Sequence, residues 1–163
     1  MSIRDNNIKL PTEKDLETLM KRGDFKEYKN WSDRNFKNIP EKGIGYKVIQ
    51  KVDNMFIPII RSNKYEKWEN LKYENIENDW VIWNIKGSSK NHGFSFFLKL
   101  EEAKNFYDSW LKEFPNTKNI LFLYKIEYKK GLISYETVSC ISEVYTLIGM
   151  CREFKFSEKI EME

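Results

Sequence analysis

The sequence predicts an α+β fold: a mostly antiparallel sheet with one well-defined amphipathic helix packed on it, and an N-terminal helical lead-in. The lead-in spans residues 1–42 and packs on a single domain over residues 43–163. Three observations predict this. Between Leu100 and Phe114, the residues Ala103, Phe106, Tyr107, Trp110, Leu111 and Phe114 recur at helical spacing and make one broad apolar face. Short alternating segments rich in aromatic and β-branched residues recur on both sides of that helix, separated by Gly, Pro, Asn and Asp. No repeat, Gly/Ser linker or low-complexity tract divides the 163 residues.

The elements follow in order. Thr12 and Asp15 form a capping box, Leu16, Leu19 and Met20 make an apolar stripe behind it, and Gly23 ends this first helix. From Phe25 to Pro40 scattered aromatics suit a short helix and a long loop. Gly43 to Val52 alternates as a strand, Asp53-Asn54 reads as a turn, and Met55 to Arg61 returns as a second strand, with Pro58 placing it at an edge or a bulge. The polar stretch Ser62 to Asp79 reads as a loop, Trp80 to Ile85 as a strand, Lys86 to His92 as a mobile loop and Gly93 to Leu98 as a strand. Pro115 and Asn116 stop the main helix, and Ile120 to Tyr128 is apolar enough for a central strand. Lys129-Lys130-Gly131 reads as a hairpin turn into a further strand from Leu132 to Ser139. The segment Glu143 to Phe156 suits a strand near Arg152 to Phe156, or a short helix holding Gly149.

Composition narrows the function. With 11 Phe, 9 Tyr and 5 Trp the chain carries too much apolar area to be disordered. Its 28 basic and 25 acidic residues leave a net charge of +3, with the signs interspersed, which argues against nucleic acid as the partner. No run approaches the about 18 apolar residues of a membrane helix, and the start lacks the apolar region of a secretion signal, so a cytoplasmic location is expected. The two cysteines, Cys140 and Cys151, read as buried thiols. A single histidine excludes a zinc site built on imidazoles, and no phosphate-cradling, dinucleotide or nucleophile-elbow motif occurs, so no metal or cofactor is expected.

The remaining candidates are binding residues. Tyr65, Trp68, Trp80 and Trp83 offer flat amphipathic rings, the first two in a loop and the last two in a strand that equally serves the core. His92 sits in Ser88-Ser-Lys-Asn-His-Gly, a loop that leaves the imidazole accessible or turn-capping. Glu101 and Glu102 open the main helix, where carboxylates complement the macrodipole.

The order Gly45-Tyr46-Lys47, then Gly93-Phe-Ser-Phe-Phe leading into the Glu102-Ala103 helix, then the Ile120 to Tyr128 strand, resembles ADP-ribosyltransferase-like domains. It is also similar to phage proteins of like strand-helix-strand order. The resemblance covers roughly half the chain. It implies NAD as cofactor, with Tyr46 standing where the family has an Arg, His or Tyr, Ser95 left from a Ser-Thr-Ser element, and Glu136 or Glu143 as the carboxylate that orients the ribose. The sequence departs from the family in having no Arg or His on the early strand and no E-x-E or Q-x-E near its end. The bottom-up expectation is therefore a non-catalytic module that binds another protein through Ser62 to Trp83, as a phage or mobile-element protein acting on a host protein would. An NAD-using transferase is the alternative.

Overall fold

Alternation of apolar and polar side chains along Gly43 to Val52 and along Leu121 to Val138 gives two strands with a buried side each, and the register between them fixes the architecture. In the computed structural model, which describes residues 36–52, 55–58, 73–74, 79–83, 93–138 and 144–162, eight strands form one sheet with antiparallel pairings throughout. They are β1 (Lys37–Asn38), β2 (Gly43–Val52), β3 (Met55–Pro58), β4 (Tyr73–Glu74), β5 (Trp80–Ile82), β6 (Phe94–Phe97), β7 (Leu121–Val138) and β8 (Tyr145–Ile160), with helix α1 (Leu100–Glu113) between β6 and β7.

The sheet closes on itself. β2 pairs β7 from Gly43↔Tyr128 to Gln50↔Leu121, β7 pairs β8, β8 pairs β6, and β6 returns to β2 at Tyr46↔Phe97. Closure into a small barrel gives the sheet an inside and an outside, each with its own core. Inside lie Ile49, Phe56, Phe94, Phe96, Tyr124, Ile126, Tyr128, Cys151, Phe154 and Phe156. The space is so narrow that Phe96 occupies the positions where Gly45 and Gly149 lack side chains: a Cβ would meet its ring at 2.3 Å and 2.6 Å.

Outside, α1 covers Val48, Phe97, Leu121, Leu123, Ile133, Tyr135, Ile148 and Met150 with Ala103, Phe106, Tyr107 and Trp110. The helix ends where Pro115 begins a 3-10 turn, with the Phe114 N–H bonded to the Trp110 carbonyl at 2.7 Å. Glu102 does more than complement the dipole: its Oε1 accepts the Leu147 N–H at 2.7 Å and ties the first turn of α1 to β8. The expected helix and its buried face are both present.

Three expectations are corrected or bounded. Lys129-Lys130-Gly131 is not a hairpin turn, because β7 runs through it as one strand of 18 residues. Lys130 takes the left-handed conformation that the turn residues suggested, φ 52°, but inside the ladder. There the two strands crease together: Lys129 lies opposite Glu153, and Gly131 opposite the interior Cys151. Likewise Gly149 sits in no helix, and the last strand spans 16 residues rather than Arg152 to Phe156 alone. The N-terminal helical lead-in lies outside the described residues up to position 35. Its last part contributes β1, which pairs with Ile133 and Ser134, and Phe36 packs edge-on against Tyr135.

The Asp53-Asn54 turn also lies outside the described residues, but the Val52↔Met55 rung on either side of it makes β2 and β3 the expected hairpin. Pro58 lies at the end of β3 beyond the two rungs shared with β4, where its missing N–H removes no bond of that ladder.

Candidate functional site

Where a strand alternates inside and outside, its last residues at the end of a barrel project from the interior into solvent. On β2 the interior face carries Gly45, Lys47, Ile49 and Lys51 in succession. Lys51 therefore emerges at one mouth of the barrel, beside the Phe122 and Tyr124 rings at the start of β7. The same mouth receives Phe156, Ser157, Glu158 and Lys159 from β8, and these seven residues enclose a groove of about 420 Å³.

A bulge builds the β8 side of this groove. Ile126 pairs with Phe156 but Lys125 pairs with Glu158, so Ser157 is the extra residue. Beyond it the alternation is reversed: Lys159 stands opposite Tyr124, on the interior side, while Ile160 turns out to the core beneath α1. Counting by twos from Phe154 and Phe156 selects Glu158 and Ile160 for the interior, and for that reason sequence reasoning misses Lys159.

Aromatic stacking forms the floor. Phe56 and Phe156 stack at 4.4 Å between centroids, and Tyr124 meets Phe156 edge-on at 5.0 Å. Both lysines lie over rings, Lys51 Nζ 5.3 Å from the Phe56 centroid and Lys159 Nζ 5.3 Å from that of Phe122. Lys159 also pairs with Glu161 at 3.5 Å, in solvent.

Deeper on the same face of β2, Lys47 is only 5% exposed. A buried ammonium needs partners, and here Nζ donates to the Ser95 carbonyl at 2.7 Å and lies 5.0 Å from the centre of the Phe154 ring. Cys151 shares this interior: burial pushes its thiol up to about 12, against the opposing pull of the Lys47 charge. Burial likewise raises the Tyr128 phenol above its ordinary range.

The residues singled out from the sequence lie elsewhere. Tyr46, half-buried, and Ser95, buried, share the outer face under α1, with Ser95 opposite Met150 and Tyr46 opposite Phe97. Glu136 is exposed and stands opposite Leu147, one rung beyond the Tyr135↔Ile148 pair whose side chains belong to that outer core, so it points to the other face. The three do not converge on one cavity, and Glu143 lies outside the described residues. Tyr65, Trp68 and His92 also lie outside them, as does Cys140.

Trp83 is a core residue, 8% exposed, packed edge-on against Phe94 at 5.1 Å. Trp80 is half-buried on the outer face, with Lys129 Nζ 3.9 Å and Lys155 Nζ 5.2 Å from its ring centre. Its neighbour on that face, Ile82, is 60% exposed.

Among the described residues no group of three or more His, Cys, Asp and Glu side chains is placed to hold a metal ion, and no helix is long and apolar enough to cross a membrane. Set against known proteins, the chain matches no protein family, no curated protein and no solved structure.

Proposed function

We propose that the chain is a non-catalytic interaction module that grips another protein through the outer sheet face built around Trp80. The observation that carries this reading is the juxtaposition of Ile82, 60% exposed, with a tryptophan lying under two ammonium groups. In register, Trp80 faces Lys155 and Ile82 faces Glu153, so the two apolar side chains sit side by side within a charged ladder. Such a centre, apolar and aromatic with a polar rim, has the anatomy of a small protein-binding patch.

The rim also describes the partner. Lys129, Lys130 and Lys155 surround the patch against Glu127 and Glu153, with Lys155 paired to Glu127 at 3.3 Å and Lys130 to Glu153 at 3.0 Å. A protein surface offering an apolar side chain flanked by carboxylates would satisfy both parts. A mobile-element protein acting on a host protein fits this description.

The test immobilises the full chain, exposes it to a candidate host lysate and then repeats the binding with the purified retained protein. Ile82→Asp, an exposed change that leaves the core intact, should weaken that interaction by at least about tenfold, and so should raised salt. A partner retained equally by the wild type and by Ile82→Asp and Trp80→Ala variants would refute this reading, as would retention of nothing.

A further inference from the structure

We propose that the outer face around Trp80 takes a second copy of this chain, face to face, about a two-fold axis that runs between β7 and β8 and parallel to them; this rests on the reading of that face as a docking surface and names an occupant for it. The partner described above offers an apolar side chain beside carboxylates, and the chain carries such a group itself. Ile44, 50% exposed, stands opposite Glu127 on the same outer face.

The register of four strands lays this face out. Its central rung runs from Ile44 on β2 through Glu127 on β7 and Lys155 on β8 to Trp80 on β5. On one side lies the rung Lys129, Glu153 and Ile82, and on the other the rung Tyr46, Lys125 and Glu158. The Ser157 bulge completes the last of these, since an unbroken ladder would set Ser157 opposite Lys125. Along the face β7 therefore reads Lys, Glu, Lys where β8 reads Glu, Lys, Glu, with an apolar flank on either side. Exchanging β7 with β8 reverses every sign.

That antisymmetry selects the axis. Two identical faces that close on each other do so about a two-fold axis lying between them. With the axis parallel to the strands, β7 of each copy covers β8 of the other. Glu127 then meets Lys155, Lys125 meets Glu158, Lys129 meets Glu153, and Ile44 meets the Trp80 ring. With the axis across the strands through the central rung, β7 covers β7, so that Glu127 meets Glu127, Lys155 meets Lys155 and Lys125 meets Lys129. Like charges oppose that arrangement. Aligned sheets cross at about 30°, which displaces the outer rungs most and the central rung least. The central charges are already engaged within their own chain, Glu127 with Lys155 at 3.3 Å and Glu153 with Lys130 at 3.0 Å. The second copy therefore adds further partners to groups that accept or donate several bonds, and these exposed pairs decide orientation more than strength. The outside of a barrel is convex, so contact is closest along the ladder and involves about ten side chains from each copy, against about 20–30 in a standard interface. The dimer is accordingly weak.

Sedimentation equilibrium of the purified full chain, from about 5 μM to about 500 μM and with no other protein present, measures the association. We expect a reversible monomer–dimer equilibrium that raised salt weakens. Glu127→Lys and Lys155→Glu should each weaken the dimer by at least about tenfold, whereas Lys112→Glu on the exposed side of α1 should not. The two face variants mixed in equal amounts should then associate at least as tightly as the wild type, because every contact of the central rung across the mixed interface again joins opposite charges. A variant damaged in its fold would not regain association in this way. Three outcomes would each overturn the proposal: a wild type that stays monomeric throughout, face variants that dimerise as the wild type does, or a mixture that stays monomeric. A monomeric wild type removes the dimer alone, since retention of a host protein by the wild type and its loss in Ile82→Asp are read separately and bear on the docking face itself.

Discussion

Cys151 illustrates how one side chain reports on the whole interior. The thiol is buried and held up to about 12 by its surroundings, whereas in the unfolded chain it titrates at about 8.5. A group whose folded pKa is raised contributes stability in full below its unfolded value and loses it as pH climbs toward the folded value. The advantage of the wild type over Cys151→Ala should therefore be constant below about pH 8 and shrink steadily toward pH 11. Denaturant midpoints of both proteins across that range measure it. Tyr107, raised chiefly by burial, erodes both proteins alike and cancels in the difference, whereas Tyr128 is raised first by burial and second by the neighbouring Cys151, so that second part leaves with the thiol and belongs to the difference between the two curves. Native protein at pH 8 should also resist alkylation at Cys151, since only the thiolate reacts. Modification as fast as that of a free thiol would contradict the burial described above.

At the scale of elements, α1 is the part most legible from sequence, because its apolar repeat continues for four turns and Pro115 marks the end. Its fully buried Trp110 packs between Phe106 and Phe114, with ring centroids 6.2 Å and 4.6 Å away. Trp110→Ala should cost about 3–5 kcal/mol by leaving a large cavity between helix and sheet, whereas exposed Lys112→Ala should cost less than about 0.5 kcal/mol. Urea melts that gave the two variants equal midpoints would show that the helix rests on some other surface. The strands were legible in their alternation but not in their extent. Lys130 and Gly131 have turn-forming character, and nothing local distinguishes a reversal from a crease; β8, which pairs on both sides of Lys130, makes it a crease. Lys159 escaped notice for a related reason. One unpaired serine changes which side chains enter the barrel, and a bulge is a property of two strands in register rather than of either sequence.

At the largest scale, four of the eight described strands close into a ring, and the ring is uneven. β2 meets β7 in eight rungs, Gly43↔Tyr128 through Gln50↔Leu121, yet it meets β6 at the single rung Tyr46↔Phe97. The order of the chain adds to this asymmetry. β7 and β8 are near neighbours in sequence and can zip early, but the β2 rungs join residues separated by most of the domain and must wait for that loop to close. The one-rung seam then acts as a hinge line. Native-state fluctuations should part the barrel there, with the rest of the ladder intact, and amide hydrogen exchange resolves this. Amides of β2 and β6 along the seam should exchange through a local opening of low free energy, insensitive to denaturant, while Leu123 and Ile126 in the middle of β7 exchange only on global unfolding. Uniform protection across both would mean that the ring opens nowhere. The seam lies against Phe96 and the Lys47–Ser95 bond, and the same transient gap would give solvent a side entrance to side chains that are buried in the closed ring.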